Sequence, residues 1–227
     1  MTNYKLYSFD KIPSTQTYAH ELIARGGAID HTIILAAAQS AGRGRYRRKW
    51  VSHHGNLYAS FIYKMPERKP TLSYAVAVAI AETLLRFGIN PQIKWPNDIL
   101  VDGKKISGTL IEYSKNFVII GIGINIKTNP TVQKYETTKT DNYRMGLNRD
   151  EMLTVLMGQM DVWIGKIMRG DFESVRARWT DFSLAINSEI NYQGHRATFC
   201  GINMDGALVL RRGSEYVLTF GDEISMQ

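Results

Sequence analysis

The sequence predicts an α+β fold: a central, mostly antiparallel mixed sheet carrying helices, followed by a small all-β unit. Three observations point there. Strand-length apolar segments and helical-period segments intermix through residues 1–184. The pair Asp102-Gly103, a strong hairpin signal, joins two strand segments and sets them antiparallel. After about Asn187 the pattern changes to five short strand segments, with turns at Gln193-Gly194, Asp205-Gly206, Arg212-Gly213 and Gly221. This divides the chain into a large unit, 1–184, and a small one, 185–227, which is too short to be secure alone and is expected to pack on the first.

The elements follow in order. Residues 4–9 alternate apolar and polar side chains and read as a strand. Ser14 or Thr15 caps a helix that runs to Arg25 and is ended by Gly26 and Gly27. Residues 32–38 read as a buried strand, and residues 56–64 alternate again as a second one. Pro70 and Thr71 open a helix that reaches Phe87 and stops at Gly88. Short strands are expected at 92–95, 99–101, 105–113 and 117–125. Residues 127–148 are polar, weakly patterned and read as a long surface connection. Helical periodicity returns over 150–168, with Leu153, Leu156, Met157, Met160 and Ile164 on one face, and a last helix covers 172–182.

Composition narrows the function classes. Hydrophobic residues make up 44% of the 227, enough for a sizeable core, and the 22% charged content argues against disorder of the whole chain. The single Cys200 can form no internal disulfide and no cysteine pair with metal-ligand spacing, which suits a reducing cytoplasm. The opening MTNYKLYSFD lacks the apolar run of a signal peptide. The longest apolar run, 74–81, is far short of a membrane span and reads as a buried helix, so no membrane role is expected.

The most informative segment is Gly42-Arg-Gly-Arg-Tyr-Arg-Arg-Lys-Trp50, with five cations in seven positions. Adjacent cations repel, so such a loop is expected to be mobile until an anion joins it. Glycine allows close backbone approach, and arginine presents a planar fork suited to phosphate and carboxylate. Without those five cations the net charge would be +2 rather than +7, so the excess is concentrated rather than spread. A solvated basic loop is the plain alternative.

Familiar phosphate and metal motifs are missing. There is no Walker pattern, Gly42-x-Gly44 and Gly121-x-Gly123 do not continue as dinucleotide fingerprints, and His53-His54 has no further ligand spacing. Four other segments stand beside the basic loop: Ser14-Thr15-Gln16, Lys94-Trp95-Pro96-Asn97-Asp98, Lys105-Ile106-Ser107-Gly108 and Gly121-Ile-Gly-Ile-Asn125. Each has a structural reading of its own: a helix cap, a turn, a solvated strand lysine and close strand packing.

Together, in this order, QSAGRGR, KWPNDIL, KISGTLIE and GIGIN resemble the biotin protein ligases over nearly the whole chain. The resemblance implies a catalytic domain at 1–184 and a small C-terminal β-barrel at 185–227. It implies an ATP-dependent enzyme that makes biotinyl-5′-AMP and then biotinylates one lysine of the biotin carboxyl carrier domain of a carboxylase, with Mg2+. By position, Ser14, Thr15 and Gln16 match the segment that holds the biotin ring, although the family usually has asparagine at the Gln16 position. Gln39 matches a pocket residue, and Gly42, Arg43, Gly44 and Arg45 match the loop over biotin and the α-phosphate. Lys105 and Gly108 match the carboxylate end of biotin. Arg45, Arg48, Trp50, Lys94, Asn97 and Asn125 match the nucleotide end, with Asp98 as magnesium ligand. Arg45 and Lys105 are the expected catalytic residues. The family commonly has glycine where this chain has Tyr46 or Arg47.

The chemistry agrees. A carboxylate is ionised at neutral pH, so its attack on the α-phosphate needs no general base. The barrier lies in bringing two anions together, which cations such as Arg43, Arg45, Arg48 and Lys105 can ease. In the second step a carrier lysine, with pKa ~10.4 in water, must lose a proton, and Asp98 is a conceivable helper. The rival readings are a lipoate ligase or acyltransferase of related fold and a nucleic-acid-binding module. Only 13 residues precede Ser14, too few for a helix-turn-helix reader, so no specific DNA binding is expected. A homodimer is compatible with the family.

Overall fold

The computed structural model describes residues 2–132 and 135–220. A seven-stranded sheet forms the large unit, in the order β1-β2-β3-β7-β6-β5-β4. Its strands are β1 (Lys5–Ile12), β2 (Thr32–Gln39), β3 (Leu57–Lys64), β4 (Gln92–Lys94), β5 (Asp98–Val101), β6 (Lys104–Ser114) and β7 (Phe117–Ile124). Only β1 and β2 pair in parallel; the rest of the sheet is antiparallel, as the sequence suggests. Asp102 and Gly103 both take positive φ, 51° and 72°, which makes the expected primed turn between β5 and β6.

Four helices are described: α1 (Thr15–Ala24), α2 (Leu72–Arg86), α3 (Arg149–Met168) and α4 (Phe172–Phe182). The run within α2 from Tyr74 to Ala81 is buried throughout, between the sheet and α3. The start of α3 is fixed by a capping box between Asn148 and Glu151. On the opposite sheet face, α1 buries Ala19, Leu22 and Ile23 against Ile34, Ile62 and Ile119. This second layer corrects one expectation. Residues 56–64 were expected to alternate, yet β3 is buried at all seven positions before Lys64, because helices cover both of its faces.

The 127–148 connection is a second correction. It is not a surface link throughout: Thr138 and Thr140 are buried. Lys105 N–H donates to Glu136 O, and Thr138 N–H donates to Lys105 O, so this strap is laced to the start of β6.

The small unit is a four-stranded antiparallel sheet of β8 (Glu189–Tyr192), β9 (His195–Ile202), β10 (Leu208–Arg212) and β11 (Glu215–Thr219), in the order β11-β10-β9-β8. Tyr192 Oη and Thr219 Oγ1 meet at 2.9 Å and draw the two edge strands together, so the sheet curls. Phe199 packs edge-on against Trp179, and Tyr74 Oη donates to Gly206 O at 2.7 Å, which seats the unit on α2 and α4. The fifth strand expected after Gly221 lies outside the described residues.

Candidate active site

A cavity of about 740 Å³ opens where β6 and β7 meet the N-terminus of α1 and the 42–50 loop. A shallower depression of about 790 Å³ beside the start of α3 holds none of the residues singled out from the sequence.

The floor of the cavity is neutral and already hydrogen-bonded. Ser14 caps α1 by accepting from Thr17 N–H at 3.4 Å and lines the cavity as well, so the cap and the site share one residue. Thr15 donates to Gln39 Oε1 from its N–H, at 2.8 Å, and from its hydroxyl, at 3.2 Å. Gln39 Nε2 donates to Ser52 Oγ at 2.9 Å, which fixes the amide at both ends. Ser60 Oγ, on β3, lies 2.9 Å from both Thr15 Oγ1 and Gln16 Oε1. Gln16 is 3% exposed, and Gly121 makes room for it: a Cβ there would stand 2.6 Å from Gln16 Oε1.

The 42–50 loop forms an arch over this floor. Trp50 N–H donates to Gly42 O at 2.9 Å, and Gly44 N–H donates to Arg48 O at 2.8 Å, so the run is a hairpin. Gly42 does not line the cavity; a Cβ there would meet Trp50 O at 2.4 Å, so it serves the hairpin's close approach. Tyr46 and Arg47, at the tip, have φ of 54° and 58°. Those are the positions where the resemblance expects glycine, and each left-handed residue costs roughly 1–2 kcal/mol. Arg45 and Arg48 lay their guanidinium groups over the Tyr46 ring, at 5.1 and 5.5 Å, and both line the cavity. Arg43 lines it too but donates to Glu112 Oε1 at 2.6 Å. The Trp50 indole lies against Gly108 and Gly123, where a Cβ would come within 2.9 and 2.5 Å of it.

The far end of the cavity carries Lys94, Asn97, Asp98 and Lys105. Trp95 donates to Tyr74 Oη at 3.1 Å and Trp179 Nε1 to Pro96 O at 3.2 Å, so the turn before β5 is pinned to the core. Asn97 Nδ2 donates to Thr109 Oγ1 at 2.7 Å. Lys105 Nζ donates to Asp98 Oδ1 at 2.6 Å, while its side chain is 15% exposed and Asp98's is 40% exposed. Tyr135, from the strap, brings its ring centroid within 5.2 Å of the same ammonium.

Of the residues singled out from the sequence, Gly42 and Asn125 are not brought to the cavity. Asn125 is 2% exposed; its N–H donates to Ile106 O and its Nδ2 to Thr138 O, which makes it a support of the strap. Thr109, Leu110, Tyr135 and Glu136 also line the cavity, with Ser60 behind its floor and Glu112 bonded to Arg43, and the sequence singled out none of them. Leu110 lies two residues beyond Gly108 on one strand, so alternation alone could have nominated it. Tyr135 carries no local signal, since only the fold of the strap brings it to Lys105.

The Biotin/lipoate A/B protein ligase family matches residues 8–129, which carry α1, the arch and the segments around Lys94 and Lys105. The chain belongs to this family. It is 32% identical, over 220 residues, to the bifunctional ligase/repressor BirA of Bacillus subtilis, a match covering 88% of this chain and 67% of that protein. It is 29% identical over 217 residues to the biotin--[acetyl-CoA-carboxylase] ligase of Paracoccus denitrificans, covering 86% and 90%. Its fold superposes on the biotin protein ligase from Aquifex aeolicus in complex with biotin and ATP with a TM-score of 0.86, at 26% identity and 97% coverage of each chain. That superposition takes in both the mixed sheet and the separate small antiparallel sheet.

Proposed function

We propose that this chain is an ATP-dependent biotin–protein ligase that forms biotinyl-5′-AMP and transfers biotin to a lysine of a carboxylase carrier domain. The observation that carries this reading is a single cavity that joins a neutral, hydrogen-bonded floor to the cations Arg45, Arg48, Lys94 and Lys105. The floor of Thr15, Gln16 and Gln39, backed by the buried Ser60, suits an uncharged polar ring, and the cationic end suits a carboxylate meeting a phosphate.

In the first half-reaction a biotin carboxylate oxygen attacks the α-phosphorus of ATP and pyrophosphate leaves. Lys105 is the residue best placed to offset the meeting charges: it is mostly buried, flanked by Trp50 and Tyr135, and its backbone is fixed on both sides by the strap. Its pairing with Asp98 holds the ammonium in place until an anionic substrate competes for it. In the second half-reaction the carrier lysine's amine attacks the acyl carbon, AMP leaves and the amine loses a proton; Asp98, one of two carboxylates lining the cavity and the one paired with Lys105, is suited to receive it.

Magnesium fits this site only in a particular way. Among the described residues no group of three or more His, Cys, Asp or Glu side chains could hold a metal ion. One carboxylate, Asp98, together with substrate phosphates and waters, is the donor set that magnesium commonly takes, so Asp98 would hold an ion that arrives with ATP and offsets phosphate charge. Asn125 stands outside the contact set and supports the strap.

The same reading takes the protein as cytoplasmic, in keeping with a lone unpaired cysteine, and as lacking sequence-selective DNA binding, since four of the five cations of the basic run line the cavity. No described helix is long and apolar enough to cross a membrane. A homodimer is compatible with the reading. The test is pyrophosphate release with biotin or lipoate as acid, followed by avidin blotting of a carrier domain. Biotin-dependent release and labelling are expected. Lipoate-dependent turnover without biotin turnover would overturn the assignment, and nanomolar sequence-selective DNA binding at physiological salt would overturn the exclusion.

A further inference from the structure

Glu112 lies on β6, on the same strand face as Gly108 and Leu110, just past the end of the cavity they line. Its two carboxylate oxygens go to different elements. Oε1 accepts from Arg43 Nη2 at 2.6 Å, and Oε2 lies 3.0 Å from His20 Nε2 on α1, one turn after Gln16. The side chain is 24% exposed, so the pair with Arg43 is screened less than an open surface pair. Burial alone would raise the carboxyl, but hydrogen bonds from His20 and Gln16 and the Arg43 charge outweigh it and hold the group below the ordinary carboxylate range.

The rest of the arch's anchorage is at the same end. Gln39 pairs with Ser52, and Arg43 with Lys49, as the rungs of the hairpin's root. The tip beyond them carries Tyr46, 53% exposed and left-handed.

We propose that Glu112 is a positioning residue that clamps the root of the arch through Arg43. Arg43 is thereby a structural anchor, and the phosphate-facing work falls to Arg45 and Arg48. The clamp lowers the repulsion among the five cations at the point where the arch leaves the sheet. The effect on ligand retention rests on the ligase reading above; the effect on the empty arch does not.

The test is Glu112→Gln, which keeps shape and removes charge, read in two ways. Chymotrypsin cleavage at Tyr46 in the ligand-free protein should quicken about two- to fivefold, the scale of a partly exposed ion pair. Escape of biotinyl-AMP from the loaded enzyme should quicken by a similar factor. If Glu112→Gln lowers the melting temperature markedly, Arg43→Gln, a change on an exposed loop, carries the same readouts and should match them. In the double variant Glu112→Gln/Arg43→Gln the effects should not add, because one contact is lost in each. Unchanged cleavage at Tyr46 in the single variants, or fully additive effects in the double, would overturn the clamp. A wild type that makes no biotinyl-AMP would refute the ligase reading, and the cleavage assay would still decide the clamp.

Discussion

The floor of the cavity and the arch above it are built on opposite principles. The floor is uncharged, buried and complete: Thr15, Gln16, Gln39, Ser52 and Ser60 already satisfy one another. The arch is cationic, largely exposed and internally repulsive, held at its root by Glu112 and at its tip by a tyrosine ring. A ligand entering the floor replaces bonds of nearly equal strength, so the gain there is mainly orientation. A ligand meeting the arch brings negative charge to a run of five cations. Selectivity for the acid and retention of the adenylate thus reside in different parts of one cavity, and they should respond to different perturbations.

The largest expected effect is at Lys105, where the two regions meet. Lys105→Ala should keep a near-normal melting temperature and lower adenylate formation on the order of 10²-fold or more, followed as pyrophosphate release. Transfer from pre-made biotinyl-AMP should fall much less. Equal losses in both half-reactions would mean that Lys105 holds the adenylate generally instead of serving the first step.

Next is Arg45→Gly in the arch. Loss of a charge-assisted contact worth roughly 1.5–3 kcal/mol should speed biotinyl-AMP escape by one to two orders of magnitude. Adenylate should still form, and the escaped acyl phosphate should label lysines indiscriminately. Escape at the wild-type rate would remove Arg45 from this role.

Gln39→Ala sharpens the contrast from the floor. It leaves Thr15 N–H without its acceptor, while Ser52 keeps its bond to Trp50 O, at a cost of about 1–3 kcal/mol, and should weaken biotin binding with little dependence on salt. Retention by the arch should fall with rising ionic strength. Titration calorimetry at two salt concentrations separates the two, and equal salt slopes for biotin and biotinyl-AMP would erase the distinction.

The smallest effect is on pH. Glu112 is held below the ordinary carboxylate range, so its contribution is complete above its unfolded value and is lost as pH falls through the lowered folded one. Cleavage at Tyr46 in the ligand-free wild type should therefore rise only in acid, in that window, and should be flat in Glu112→Gln. A rise of equal size in the variant would assign the effect to another group.

Legibility from the sequence tracked how local the cause was. The helices could be read from local signals: the Ser14 cap and the Gly26-Gly27 stop of α1, the Gly88 stop of α2 and the apolar period of α3. The β5–β6 hairpin followed from Asp102-Gly103 alone. The motif residues gathered largely as expected, since short segments on adjacent strands carry them. What could not be read was determined at long range. The burial of β3 on both faces depends on α1 arriving from one side and α2 from the other. Glu112 is 69 residues from Arg43, and nothing near either marks the pair. Asn125, placed at the nucleotide end by resemblance, lies behind the cavity lining: its Nδ2 holds Thr138 O, while its buried Oδ1 has no hydrogen-bond partner among the described residues, and only the fold of the strap reveals this.

The left-handed pair at the tip of the arch, Tyr46 and Arg47, ties the shape of the loop to its charge. Glycine would take these angles freely, whereas here each of two side-chain-bearing residues costs roughly 1–2 kcal/mol of backbone strain. The same turn sets the Tyr46 ring under the guanidinium groups of Arg45 and Arg48. An anion that drew either guanidinium away would loosen the contact that accompanies the strained turn, so binding at the arch and refolding of its tip would be one event.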